Sequence, residues 1–139
     1  MYLISLVMFL LSLVFSPVQG DNFTGVDPVR VAARCKGEAS FAIAGCACTV
    51  VERLEAGWNP AKVLNAYYAS DSRPTEEDVS VVQSILSRRV DCIDGMYYMF
   101  SESDTNYLRL DRDKATTSVS DRGKSIYFYP RSTFKGGGG

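Results

Sequence analysis

Histidine is absent from all 139 residues. Its absence removes Ser-His-Asp and Cys-His catalysis, His-ligated zinc and imidazole general bases together. An excess of one charge is missing as well: 15 Lys+Arg against 16 Asp+Glu leave a formal charge of -1. Such a chain has no basic field to hold a phosphate backbone, so nucleic acid is not an expected partner. There is no CxxC pair and no His to accompany the cysteines, which disfavours a metal cluster. No internal repeat is visible, and the length fits one ordinary domain. Any chemistry must rest on carboxylates, thiols, hydroxyls, lysine or a cofactor.

Both ends of the chain read as segments outside the folding unit. Met1 to Phe15 is an uncharged apolar run, and Ser16-Pro17-Val18-Gln19-Gly20 follows it with small residues at Val18 and Gly20. That is the core and cleavage region of a secretory signal, with cleavage expected after Gly20 and an uncleaved anchor as the alternative. Asn22-Phe23-Thr24 matches a glycosylation sequon, meaningful only in a eukaryotic source. At the other end, Gly136 to Gly139 form a flexible tail that no core can use. The expected division is residues 1–20 signal, 21–135 domain and 136–139 tail, with the folding unit at about Val26 to Phe134.

The first half of that unit reads helical. Asp27-Pro28 is an N-cap followed by proline at the first helical position, opening a helix to about Lys36, where Gly37 breaks or bends the chain. Phe41 to Leu54 is apolar nearly all round, as suits a central helix packed on several sides, and Ala42, Ala44, Gly45 and Ala47 permit close helix approach. Gly57 closes it. A short third helix is expected over Ala61 to Tyr68 and a loop over Ser70 to Pro74. Thr75-Glu76-Glu77-Asp78 is a capping-box variant ahead of a fourth helix with its apolar stripe at Val79, Val82, Ile85 and Leu86.

The second half changes to a period of two. Met96 to Ser101, Thr116 to Ser120 and Ser125 to Tyr129 read as short strands, with Asp121-Arg122-Gly123-Lys124 as a hairpin turn. The expected class is α+β, with about four helices followed by a small antiparallel sheet. Four cysteines allow three disulfide pairings, with buried free thiols as the alternative. Cys46 and Cys48 sit about 200° apart around a helix and so face different neighbours. The preferred arrangement is Cys35 with Cys46 across a helical hairpin, and Cys48 with Cys92.

Glu38 is the candidate for chemistry. It lies at the end of one helix, immediately ahead of a largely apolar one. A carboxyl held against apolar groups has its charged form disfavoured, which is what a general acid for glycosidic cleavage requires. Its plain alternative is a solvated or capping residue. Asp111-Arg112-Asp113 has the look of a D-x-D metal motif but reads better as a charged hairpin with local ion pairs. No metal or cofactor is expected.

The strings A-A-R-C-x-G-E-A (from Ala32), A-C-T-V-V-x-R-L-x-A-G-W (from Ala47), V-L-N-A-Y-Y-A (from Val63) and C-I-D-G-M-Y-Y-M-F-S-x-x-D (from Cys92) resemble cell-wall hydrolases of the spore-cortex-lytic enzyme type. These look like small relatives of lysozyme-type lytic transglycosylases. The similarity spans about Val29 to Asp104, and it implies a lysozyme-like helical half with Glu38 as catalytic acid and base. The chain departs from the family at four points: the second glutamate of E-A-R-G-E is missing, Lys36 replaces a tyrosine, Glu52-Arg53 stands for Asn-Arg, and Tyr67-Tyr68-Ala69-Ser70 only echoes a Q-F-S segment.

With one visible acid, the implied route is that of a lytic transglycosylase, which needs no second carboxylate, unlike retaining or inverting hydrolases. Glu102 and Asp104 are the plausible partner acids, though solvated loop acids is the simpler reading. Tyr67, Tyr68, Tyr97, Tyr98, Ser101 and Trp58 are candidates for the stacking faces and hydroxyls of a glycan groove, with only one of Tyr97 and Tyr98 able to face it. The expected partner is peptidoglycan or a related glycan met by a secreted or periplasmic monomer, the membrane entering only through the signal segment. A non-catalytic glycan binder and a disulfide-stapled interaction protein are the other classes.

Overall fold

The computed structural model describes residues 25–88 and 92–134, except the side chain of residue 88. The secretion segment, the sequon and the glycine tail anticipated above lie outside them. Among the described residues no helix is long and apolar enough to cross a membrane. The architecture is α+β: three of the four described α-helices come before the first strand, the fourth lies between the first and second strands, and the three strands form one antiparallel sheet.

Helix α1 spans Pro28–Glu38, its N-terminus capped by Asp27, whose Oδ1 accepts the Val29 N–H at 2.9 Å. Gly37 does not break the helix, which runs on to Glu38 and not to about Lys36. Gly37 continues the helix, and its missing side chain serves the neighbouring loop instead: a Cβ there would overlap the Ser70 carbonyl. Helix α2, Ile43–Glu55, is the central element, with a nearly continuous buried run from Gly45 to Val51. It packs against α1 and against α3, Glu76–Arg88. Thr75 and Asp78 form the anticipated capping box at the start of α3, at 2.8 and 3.0 Å. Both disulfides form as preferred: Cys35–Cys46 joins α1 to α2, and Cys48–Cys92 ties α2 to the chain entering the sheet. Such bonds persist in oxidising compartments.

The expected third helix is reduced to a 3-10 turn, Val63–Ala66. Tyr67 leaves it in extended conformation because its ring is drawn into the core, where its hydroxyl meets Thr49 Oγ1 at 2.6 Å.

The sheet comprises β1 (Tyr98–Ser101), β2 (Thr117–Asp121) and β3 (Lys124–Tyr129) in the order β1-β3-β2. Tyr98 pairs with Tyr129, and Thr117 with Phe128. The β2–β3 hairpin turns through Arg122 and Gly123, both at positive φ (51° and 81°), as a two-residue primed turn requires. Fully buried Phe128 fills the space left by Gly45, so the small residue of α2 admits the sheet and not another helix. Cutting a ring of this kind back to alanine costs about 3–5 kcal/mol.

One element escaped the sequence reading. Glu102 and Asp104 belong to a fourth helix, α4 (Glu102–Leu108), instead of a loop. Ser101 and Asp104 close a reciprocal capping box that starts it. The Asp111-Arg112-Asp113 segment is a 3-10 turn (Arg112–Lys114), not a hairpin. Arg112 reaches back to α4, donating to Thr105 Oγ1, Asn106 Oδ1 and Glu102.

Candidate functional site

The helical half and the sheet half meet in a groove, and Glu38 stands in its wall. It is the last residue of α1, half-buried. Its Oε2 accepts the backbone N–H of Ala69 at 2.9 Å, and among the described residues no cation lies within ion-pair distance of it.

Ala69 is delivered by a loop clamped to α1. Arg34 donates to the Leu64 carbonyl at 2.8 Å, to the Tyr67 carbonyl at 3.1 Å and to Asp71 Oδ1 at 2.6 Å. The Ser72 N–H adds a bond to the Ala33 carbonyl at 3.0 Å. Close approach over Gly37 completes the clamp. The carboxylate is therefore held by groups that are themselves held.

Two cavities share Glu38 as a wall. The first, about 470 Å³, runs past Phe41 and Ser101 to the β2–β3 hairpin at Lys124. The second, about 390 Å³, is more enclosed and runs past Arg53, Tyr67 and Tyr68 to Phe100 and Tyr107. Helix α4 faces both, with Glu102, Ser103 and Asn106 on the first cavity and Asp104, Tyr107 and Leu108 on the second. At 100° per residue these are two adjacent sides of one helix.

The aromatic candidates divide. Tyr67 and Tyr68 line the second cavity, Tyr67 buried and Tyr68 98% exposed. Ser101 lines the first cavity while capping α4. Tyr97, 1% exposed, is a packing residue whose hydroxyl accepts from Trp58 Nε1 at 2.7 Å. Neither Tyr97, Trp58 nor Tyr98 lines either cavity. Tyr98 stacks on Phe100 and meets Phe134 edge-on. The two partner acids are engaged locally: Glu102 Oε2 accepts from Arg112 at 3.2 Å, and Asp104 Oδ2 accepts the Ser101 N–H at 3.3 Å.

The residue that sequence reasoning passed over is Arg53. It is 8% exposed, and its guanidinium lies 5.0–5.8 Å from the ring centres of Trp58, Tyr67, Tyr97 and Tyr98. Cation–π contacts contribute about 0.5–2 kcal/mol each, more when desolvated. Nε donates to the Tyr97 carbonyl at 3.1 Å. An arginine in the last turns of a largely apolar helix, beside Glu52 and Glu55, was the available sign. Burial pushes the Tyr67 phenol above its ordinary value; Arg53 and the Thr49 hydrogen bond pull it down, while Glu38 and Tyr97 push it up. Arg53, Tyr67 and Glu38 are thus electrostatic neighbours around one cavity. No known family model, curated protein sequence or solved structure matches the chain.

Proposed function

We propose that the protein is a secreted or periplasmic enzyme that cleaves peptidoglycan glycan strands, with Glu38 as its single catalytic acid and base. The observation that carries this reading is the setting of Glu38: one oxygen fixed by Ala69, no ion pair among the described residues, and a cavity on either side of it. A linear polymer crossing two consecutive cavities would place a bond beside the carboxyl at their junction. Exposed Tyr68 and Tyr107, both lining the second cavity, offer apolar faces with polar tips of the kind sugar rings use.

The engagement of Glu102 and Asp104 favours the route with one acid. Glu38 donates its proton to the bridging oxygen as the bond from that oxygen to the anomeric carbon breaks. The 6-hydroxyl of the same sugar attacks that carbon and returns its proton to the carboxylate. The product is a 1,6-anhydro sugar and no water is consumed. Pre-positioning of the acid is what makes such proton transfer effective.

The test is clearing of a peptidoglycan suspension by the protein and by Glu38→Gln, with mass analysis of the released fragments. Expected are anhydro-ended fragments from the parent and at least a hundredfold loss of rate in the variant. Hydrated ends in place of anhydro ends would replace the transglycosylase route with a hydrolytic one. Equal inactivity of both proteins on several walls would overturn the enzyme and leave a glycan-binding module of the same fold.

A further inference from the structure

Arg53 is 8% exposed, yet among the described residues no carboxylate lies within ion-pair distance of its guanidinium. Its Nε is satisfied by the Tyr97 carbonyl, and its two terminal amino groups have no hydrogen-bond partner among the described residues. The four surrounding rings contribute π-faces but cannot accept the in-plane N–H bonds of a planar fork. Arg53 also lines the second cavity, which Glu38 lines too. A buried cation whose terminal donors are not taken up by the protein, beside a cavity, has the chemistry to receive an anion there.

We infer that Arg53 is an anion-binding residue of the second cavity that takes a carboxylate of an acidic sugar strand beside Glu38. This assignment rests on the glycan reading above for the nature of the ligand. In peptidoglycan such a carboxylate has two sources: the lactyl group of muramic acid where the strand has lost its peptides, and the acidic residues of an attached peptide stem. A neutral glycan offers neither. The rings hold the guanidinium in one orientation before the ligand arrives, so a bidentate pair forms at little entropic cost. The adjacent Tyr67 stays a neutral phenol at physiological pH and does not compete for the cation.

The assignment is tested by calorimetric titration of Glu38→Gln, which removes turnover from the measurement, with three probes: N-acetylglucosaminyl-N-acetylmuramic acid, the same disaccharide carrying its peptide stem, and neutral chitobiose. At least one acidic probe is expected to bind tenfold or more tightly than chitobiose, and adding Arg53→Gln should abolish the preference. Preference for the bare disaccharide identifies the lactyl carboxylate, and preference for the stem-bearing one alone identifies the peptide. Equal affinity for all three, no binding of any, or a preference that survives in a folded Arg53→Gln protein would overturn the assignment. Should Arg53→Gln fail to fold, the Arg53 Nε–H resonance of the Glu38→Gln protein decides: it should shift with the preferred acidic probe and not with chitobiose, and an unmoved resonance counts against the site. Strand cleavage without acidic preference sinks only the Arg53 site. Acidic preference without cleavage sinks only the enzyme.

Discussion

The two walls of the groove are built by different means. On the helical wall, α1, α2 and α3 share a continuous apolar core, one disulfide joins α1 to α2, and the loop over Glu38 is clamped by Arg34 and the approach over Gly37. On the opposite wall, α4 is a seven-residue helix held largely by polar contacts, its capping box and the Arg112 bonds. Sheet and α2 are joined by Phe128 in the space over Gly45 and by the Cys48–Cys92 bridge. The lesson is one of placement: the candidate acid sits on the wall with the greater constraint, and the exposed contact residues Tyr107 and Leu108 on the wall with less.

Breaking the bridges separately tests that contrast most severely. Cys48–Cys92 spans 44 residues and Cys35–Cys46 spans 11, so loop-closure entropy assigns them about 4 and about 3 kcal/mol. Urea unfolding of the two double Cys→Ser proteins should rank them in that order. Loss of Cys35–Cys46 should also disturb the Glu38 site more, since that bond encloses the α1–α2 junction. A reversed rank would mean that the junction, not the tether to the sheet, limits stability.

A milder pair sets one wall against the other. Gly37→Ala forces a methyl group into the Ser70 carbonyl and should cost about 1–3 kcal/mol while displacing Ala69 from Glu38. Arg112→Ala removes part-exposed bonds around α4 and should cost about 1 kcal/mol. Amide exchange should show the first change around residues 64–72 and the second confined to α4. Spread of the Arg112→Ala effect into α2 would abolish the distinction between the walls.

The smallest expected effect is on alkaline stability. Burial, the largest cause in each case, raises the phenols of Tyr67, Tyr98 and Tyr129. The unfolded phenol loses its proton near pH 10, before the folded one does, so this stabilisation is complete below about pH 10 and declines as pH rises further. Urea midpoints from pH 8 to 11 should fall, and Tyr129→Phe should flatten the fall. A midpoint independent of pH in that range would place these rings in water, against their packing.

The resemblance and the residue patterns named Glu38 and anticipated both cysteine pairs, but they attached no role to Arg53 and left Glu102 and Asp104 in a loop. The capping box Ser101-x-x-Asp104 was legible and overlooked, because the aromatic run before it reads as a strand and the acids after it as polar turn. Tyr97 and Trp58 were candidates by type alone; in the structure they bond to each other and line neither of the two cavities beside Glu38.

What the sequence by itself determined is local: the Asp27 and Thr75 caps, the apolar run of α2, the primed turn at Arg122-Gly123 and the change from helices to strands after the first three helices. Each is set within a few residues by backbone sterics, periodicity or a short hydrogen bond. The tertiary structure alone decided which side chain meets which backbone group across 31 residues, as the Glu38 carboxylate and the Ala69 N–H do, or across 44, as the Arg53 Nε and the Tyr97 carbonyl do. The first meeting depends on the loop that Arg34 clamps over Gly37, and the second on how α2 seats the sheet through Gly45 and Phe128, packing arrangements that no local pattern encodes.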